Sequence, residues 1–250
     1  PIMEINRMST LRIASSVLVA LAVFGQADVV TNIRDATRPD ADTVRDAGRK
    51  PTDVIHFLGV QEGAIVMDVM ASSGYYTEVL AHAVGSQGTV YAQNSPMMLK
   101  YRDGFYDKAL TQRLKDGRLA NVVRLDRDMS DLGIPSATVD LAMTALNFHD
   151  IYNSAGEAAA LEFMSDVYGV LKPGGVFAVI DHVGSADGDN NRLHRMDEAV
   201  MRELIARSEF QLDASGDLLR NPKDDHTGGV FAPDLRGNTD RFLFRLRKPE

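Results

Sequence analysis

The sequence predicts an α/β fold in which a parallel sheet is covered by helices on both faces, a three-layer α/β/α sandwich. Three observations carry this expectation. Strand-length apolar runs alternate with helix-length runs from Pro51 to Ser208. The stretch "VMDVMASSGYYTEVL", Val66 to Leu80, reads as a buried strand, a turn of small residues and a helix. "IVMDV" and "VDLAMTAL" are nearly continuous in apolar residues rather than alternating, the pattern of strands buried on both faces.

The elements follow in order. Pro51 suits the first turn of a helix that buries Val54, Ile55, Phe57 and Leu58 and ends near Gly59. Ile65–Val69 is a strand, Tyr75–Val84 a helix and Thr89–Ala92 a second strand. "KYRDGFYDKALTQRLKDGR" is helical with a break at Gly104. Ala120–Leu125 and Thr138–Leu146 are strands three and four. Asn153 or Ser154 caps a long helix to Leu171, with Leu161, Met164, Tyr168 and Leu171 at helical spacing. "KPGG" turns into a fifth strand, Val176–Ile180. Met196–Ser208 is helical, and "FQLDASGDLL" and "DRFLFRLRKP" are two closing strands.

Composition narrows the partners. The chain has 250 residues, 44% of them hydrophobic, enough for one sizeable core. A net charge of −8 with no basic run disfavours nucleic acid. The absence of cysteine removes disulfides, thiolate catalysis and cysteine-ligated zinc. Arg7 and Arg12, the apolar run Ile13–Phe24 and then Gly25-Gln26-Ala27 have the layout of a signal peptide cut after Ala27, or of an uncleaved anchor. Export to a bacterial periplasm is therefore expected, with no stable membrane span after cleavage. Residues 1–27 carry net +1 (Arg7 and Arg12 against Glu4), leaving −9 for the rest. The expected division is a leader over 1–27, an N-terminal helical lid over 28–60 and the α/β domain over 61–250.

In such sheets ligands bind beyond the carboxyl ends of the strands. The residues just after each strand are therefore the candidates. Their motifs, taken together, resemble the class I S-adenosylmethionine-dependent methyltransferases. In "VMDVMASSGYYTEVL", Asp68 stands at the family's acidic strand end and Gly74 at the third glycine of its Gly-x-Gly-x-Gly turn. Met70 and Ser72 replace the first two glycines. "RLDRDMSDLGIPSATVDLAM" resembles the family's run in which an Asp contacts the adenine amino group, and places Asp128 there. "VLKPGGVFAVIDH" resembles the turn into the family's fifth strand. With the leader, "HRMDEAV" and "TDRFLFRLRKP", the set is similar to a group of exported predicted methyltransferases. The resemblance implies a Rossmann-like, seven-stranded, mostly parallel sheet with an antiparallel last strand. It also implies S-adenosyl-L-methionine as cofactor and a small-molecule acceptor. The cofactor contacts it suggests are Asp68, Met70, Ala71, Ser72, Ser73, Gly74, Tyr76, Thr77, Gln93, Asn94, Asp128, Met129 and Asn147.

The chemistry of these positions gives further expectations. A close approach of cofactor to backbone favours glycine, so Ser72 crowds the turn, although its hydroxyl can hydrogen-bond a carboxylate or an ammonium. The helix from Tyr75 offers N–H groups and a positive dipole end. Gln93 and Asn94 stand where a carboxylate would bond both ribose hydroxyls, or they form a polar loop. Tyr75, Tyr76, Phe148 and Tyr152 wall a sulfonium or belong to the core. After strand four comes "NFHDIYN", and after strand five Asp181-His182. If the two strands are neighbours, "HD" and "DH" face each other. His149, Asp150 and His182 are then the candidates for acid/base work on the acceptor, or each histidine caps or packs. The same four side chains could ligate a divalent metal, but no i,i+4 histidine spacing supports that, and no metal site is expected. Arg45, Asp46, Arg49 and Lys50 form a lid or a solvated helix face. The loop "NPKDDHTGGVFAPDLRGNTD" is long enough to shape substrate access.

Two rival functions differ in class. A non-catalytic exported binding protein with a degenerate cofactor site would explain Met70, Ser72 and Asn94. A nicotinamide-dependent dehydrogenase would need Gly-x-Gly-x-x-Gly after strand one and an acid after strand two, and neither is present.

Overall fold

The computed structural model describes residues 29–250. The leader assignment lies outside the described residues. No described helix is long and apolar enough to cross a membrane.

Short helices open the described chain: α1 over 29–35, α2 Asp40–Thr43, α3 Asp46–Arg49 and α4 Pro51–Leu58. The alternating part follows as β1 Ile65–Val69, α5 Tyr75–Val84, β2 Thr89–Gln93, α6 Pro96–Arg113, β3 Val122–Leu125, β4 Val139–Ala145, α7 Phe148–Val170 and β5 Leu171–Gly184. It closes with α8 Asn190–Leu193, β6 Met196–Asp197, α9 Glu198–Arg207, β7 Gln211–Gly216 and β8 Arg241–Arg247. The main sheet runs β3-β2-β1-β4-β5-β8-β7, with β6 paired to the end of β5. Strands β1 to β5 are parallel, and β8 is antiparallel to both β5 and β7. The chain order reverses across β1 and β4, so the crevice opens beyond their carboxyl ends, beside the residues after Val69 and Ala145.

The sheet splits the core in two, because successive side chains of a strand point to opposite faces. Val66, Met143, Ala178 and Leu243 face one side, with Val54 and Ile55 of α4 and Val79 and Leu80 of α5. Met67, Ala142, Phe177 and Phe244 face the other, with Met164 and Val167 of α7 and Met201 and Leu204 of α9. Each fully buried Val, Ile, Leu, Met or Phe side chain contributes about 2 kcal/mol.

Strands β2, β3 and β4 shift by one or two residues from the sequence reading, and three further differences bear on the site. Helix α7 begins at Phe148, not at Asn153 or Ser154, and breaks at Gly156 (φ 80°, ψ −173°). Asn147 occupies the cap, and Asp181 accepts the backbone N–H of His149 in the first turn, which a local cap search cannot find. Strand β5 extends from Leu171 to Gly184, because Leu171 pairs with Val139 ahead of a register shift and Val183 pairs with Met196. Met196 is consequently in a strand, and α9 starts two residues later, with the Asp197 side chain accepting from the N–H of Ala199. The expected break in α6 is present, with non-helical backbone from Tyr101 to Gly104.

Candidate active site

The turn after β1 sets the geometry. Met70, Ser72 and Gly74 all have positive φ, at 55°, 55° and 83°. These are the three positions of the glycine motif. Left-handed backbone, which favours glycine, is thus present at all three although two of them are not glycine. Non-glycine residues pay about 1–2 kcal/mol each for it, so the surrounding structure must hold them.

Two buried amides do so. The Gln93 Oε1 accepts the Met70 N–H at 3.0 Å, and the Asn94 Oδ1 accepts the Ser72 N–H at 2.8 Å. Asn94 returns a bond from Nδ2 to the Ser72 carbonyl at 3.2 Å, and Gln93 donates from Nε2 to the Arg127 carbonyl at 2.7 Å. The Ser72 hydroxyl donates to the Met70 carbonyl at 3.2 Å, and Asn147 Nδ2 donates to that same carbonyl at 3.0 Å. Gln93 and Asn94 are 1% and 0% exposed. Their amides, expected from the sequence to face a ribose, are engaged with the backbone of the turn and the neighbouring loop.

Below the turn, Asp68 is buried and accepts the Thr77 hydroxyl at 2.6 Å. Burial pushes its pKa up to about 6, against the hydrogen bonds from Thr77 and the charges of Arg49 and Arg113. Among the described residues no side chain caps the N-terminus of α5. Gly74 is held to glycine by packing as well as by φ: a Cβ there would lie 2.8 Å from Leu110 Cδ1 and 3.0 Å from Arg113 Cδ. Arg113 ties the turn to its surroundings, donating to the Ser73 carbonyl at 2.8 Å and Asp42 at 2.6 Å, and also to Glu78.

The N-terminal segment packs on the start of α5. Tyr75 donates its hydroxyl to Asp46 at 2.5 Å, and the guanidinium groups of Arg45 and Arg49 lie 4.6 and 4.5 Å from the centre of its ring. Arg49 also covers Tyr76 at 5.7 Å. It makes no ion pair among the described residues, yet lies near enough to Asp68, His182 and Arg241 to influence the charge of each. Phe148 is fully buried and packs edge-on against Phe163, so it is a core aromatic. Asp128 is exposed at the next strand end and precedes the short turn Met129–Asp131, while Met129 packs on the α7 side of the core.

The second group lies after β4 and β5. "HD" and "DH" do meet. His149 Nδ1 is 2.7 Å from Asp181 Oδ1, and the His149 backbone N–H donates to Asp181 Oδ2 at 2.7 Å. The rings of His149 and His182 lie 5.9 Å apart. Burial disfavours a charged His149, but Asp181 and Asp150 outweigh it and raise its pKa to about 10. His182 goes the other way: burial and the charges of Arg241, His149, Arg195 and Arg49 hold it well below 6.5. Its Nδ1 faces the Thr239 hydroxyl at 2.7 Å.

The sequence reading missed His194. It lies in "HRMDEAV", at the end of α8, with Nδ1 3.2 Å from Asp150 Oδ1 and its ring 5.6 Å from that of His149. Its only sequence signal was a polar aromatic next to a helix C-cap. The long loop reaches this group as well, with Phe231 edge-on to His194 at 5.1 Å. Fully buried Arg195 anchors that loop through both oxygens of Asp224 at 2.9 Å and through the Gly228 carbonyl.

The arrangement is a crevice with two ends: a backbone cradle over the N-terminus of α5, and a histidine–carboxylate cluster of opposed protonation. The model of the ubiE/COQ5 methyltransferase family matches residues 47–186, which contain the cradle and all of the cluster except His194. The demethylmenaquinone methyltransferase of Geobacillus sp. (strain WCH70) is 27% identical over 124 residues, 49% of this chain and 47% of that enzyme. The chain thus matches about half the length of that relative. A SAM-dependent methyltransferase from Aquifex aeolicus superposes with a TM-score of 0.60 at 20% identity, over 85% of this chain and all of the other. The cyclase SpnF superposes with a TM-score of 0.61 at 15% identity, over 91% and 96% of the two chains. These likenesses establish the fold. A degenerate, non-catalytic site gains no support from these likenesses.

Proposed function

The chain belongs to the ubiE/COQ5 methyltransferase family, and from this premise we propose that it transfers a methyl group from S-adenosylmethionine to a small-molecule acceptor by in-line displacement. One observation carries the reading. The backbone is left-handed at Met70, Ser72 and Gly74, the three positions of the glycine motif, at the expense of two strained residues and two buried amides that hold them. Such strain persists where function needs it.

When bound, the cofactor supplies an activated methyl carbon on a sulfonium. In our reading Arg49, which has no carboxylate partner among the described residues, and the start of α5 would attract the carboxylate of its methionine end. Tyr76 and the turn would exclude water from the sulfonium, and Asp128 and Met129 would border the adenine. His182, neutral at pH 7, accepts the acceptor's proton at Nε2 in the tautomer whose Nδ1–H donates to the Thr239 hydroxyl. His149, fixed by Asp181, keeps a positive charge near the developing anion. Two histidines whose environments push their protonation apart make natural acid and base partners.

The relative named for demethylmenaquinone makes that compound the first acceptor to assay. Calorimetry with S-adenosylmethionine and S-adenosylhomocysteine is expected to show micromolar binding of one molecule per chain. Absence of heat with both would sink the proposal. The leader motivates the further proposal that the protein is exported, for which fractionation and N-terminal sequencing of the native protein is the check.

A further inference from the structure

We propose that His149, Asp150 and His194 form a binding site for a first-row divalent cation of the zinc type, at the acceptor end of the crevice. One ligand atom from each of the three residues lies within 4.8 Å of the others. Two edges of the triangle are already close to metal-site length. Asp150 Oδ1 is 3.2 Å from His149 Nε2 and 3.2 Å from His194 Nδ1. Ligands about 2.0–2.1 Å from a tetrahedral zinc stand roughly 3.3 Å apart. Only the histidine–histidine edge has to close.

The surroundings have the features such a site needs. Asp181 holds His149 by Nδ1, at 2.7 Å, which turns Nε2 toward Asp150. A carboxylate behind a ligating imidazole fixes its tautomer and orientation and raises its basicity. The third ligand does not rest on a free loop. Asn153, one turn along α7 from His149, donates to the carbonyls of Arg195 at 2.9 Å and Asn190 at 3.3 Å, on either side of His194. Phe231 packs against the His194 ring. The side chains of Asp150 and His194 are 52% and 43% exposed, so an ion can enter and keep positions for water or an acceptor oxygen. Two imidazoles and one carboxylate with open positions suit zinc and its first-row neighbours rather than magnesium or calcium, which favour all-oxygen sites. The site shares His149 with the methyl-transfer reading, but ion binding does not depend on methyl transfer.

The test uses the full chain freed of metal by a chelator and then dialysed. Zinc is titrated by calorimetry, and cobalt is followed by its visible absorption. One zinc per chain at micromolar affinity or tighter is expected. His194→Ala, at a partly exposed position, should fold normally and weaken binding at least tenfold, as should Asp150→Asn. Asp181→Asn, which removes no ligand, should weaken it 10–100-fold. His56→Ala, remote in the fold, should leave affinity unchanged. The proposal is overturned by the absence of a stoichiometric site, or by His194→Ala binding zinc as tightly as the parent. Cofactor binding is measured separately on the metal-free chain. Zinc binding without cofactor binding would remove the methyl-transfer reading and leave the metal site standing.

Discussion

Asp181 binds one residue twice: its two carboxylate oxygens take the backbone N–H and the ring Nδ1 of His149, each at 2.7 Å. A single carboxylate from β5 thereby fixes both where α7 starts and how its first functional ring is turned. Asp181 is fully buried, so removing its charge while His149 keeps its own should be costly. Asp181→Asn is expected to destabilise the fold by about 3 kcal/mol, the low end for breaking a buried pair. Adding His149→Gln should cost less than the two single losses together, because the pair is coupled. Urea unfolding of the four proteins of the cycle measures this. Additive losses would mean the pair does not act as a unit.

The cradle makes a prediction opposite to ordinary glycine substitution. Ser72 sits at φ 55°, so Ser72→Gly removes strain of about 1 kcal/mol. It also removes a hydroxyl that bonds the Met70 carbonyl. Stability is expected to hold or rise slightly, and cofactor affinity should increase as the turn gains room. Ser72→Val should destabilise by more than about 1 kcal/mol, since a β-branched residue resists positive φ. Thermal melts and calorimetry on both variants check this. Tighter cofactor binding by the valine variant would refute the account.

Asn94 is expected to matter more than any exposed residue of the crevice. Asn94→Ala deletes two bonds to Ser72 and leaves the half-buried Ser72 N–H without that partner. A loss of roughly 2–3 kcal/mol follows. The cofactor dissociation constant should rise at least tenfold even though the side chain holds the turn and not the ligand. Asn94→Asp tests the geometry: it keeps the acceptor for the Ser72 N–H and loses the return bond, so it should fall between the two.

Acid should loosen the clamp behind the cradle. Glu78 is fully buried beside Arg113 and Arg118, with Nη2 of Arg118 at 2.5 Å. Burial opposes its charge, but His82 and the two arginines overcome this and lower its pKa from 4.5 to about 2. A depressed carboxylate stabilises the fold above its unfolded pKa, and that contribution is lost as pH falls from about 4.5 toward about 2. The loss should be on the order of 3 kcal/mol. Unfolding measured at pH 6 and pH 3 in the parent and in Glu78→Gln checks the sign: the parent should lose more of its stability across that interval than the variant does.

Much of the fold could be read along the chain because its signals are local. Continuous apolar runs mark strands covered on both sides, and Gly59 and Gly85 end α4 and α5 where a positive φ is needed. The start of α7 could not be read that way, because its partner Asp181 lies thirty-two positions ahead. The same limit hid His194. Nothing near it in sequence predicts that it meets Asp150, and only the packing of α8 on α7 through Asn153 brings them together.

The residues by themselves determined the order of elements, the acidic strand end at Asp68, the turn from Met70 to Gly74 and the pairing of "HD" with "DH" once β4 and β5 are neighbours. Whether a turn with one glycine in place of three could keep the motif's shape was a different question. Its answer lay in Gln93 and Asn94, more than twenty residues away, whose buried amides hold Met70 and Ser72 in a conformation their own side chains resist. Tertiary structure decided it, because backbone strain can be sustained only by bonds that the strained segment does not itself contain.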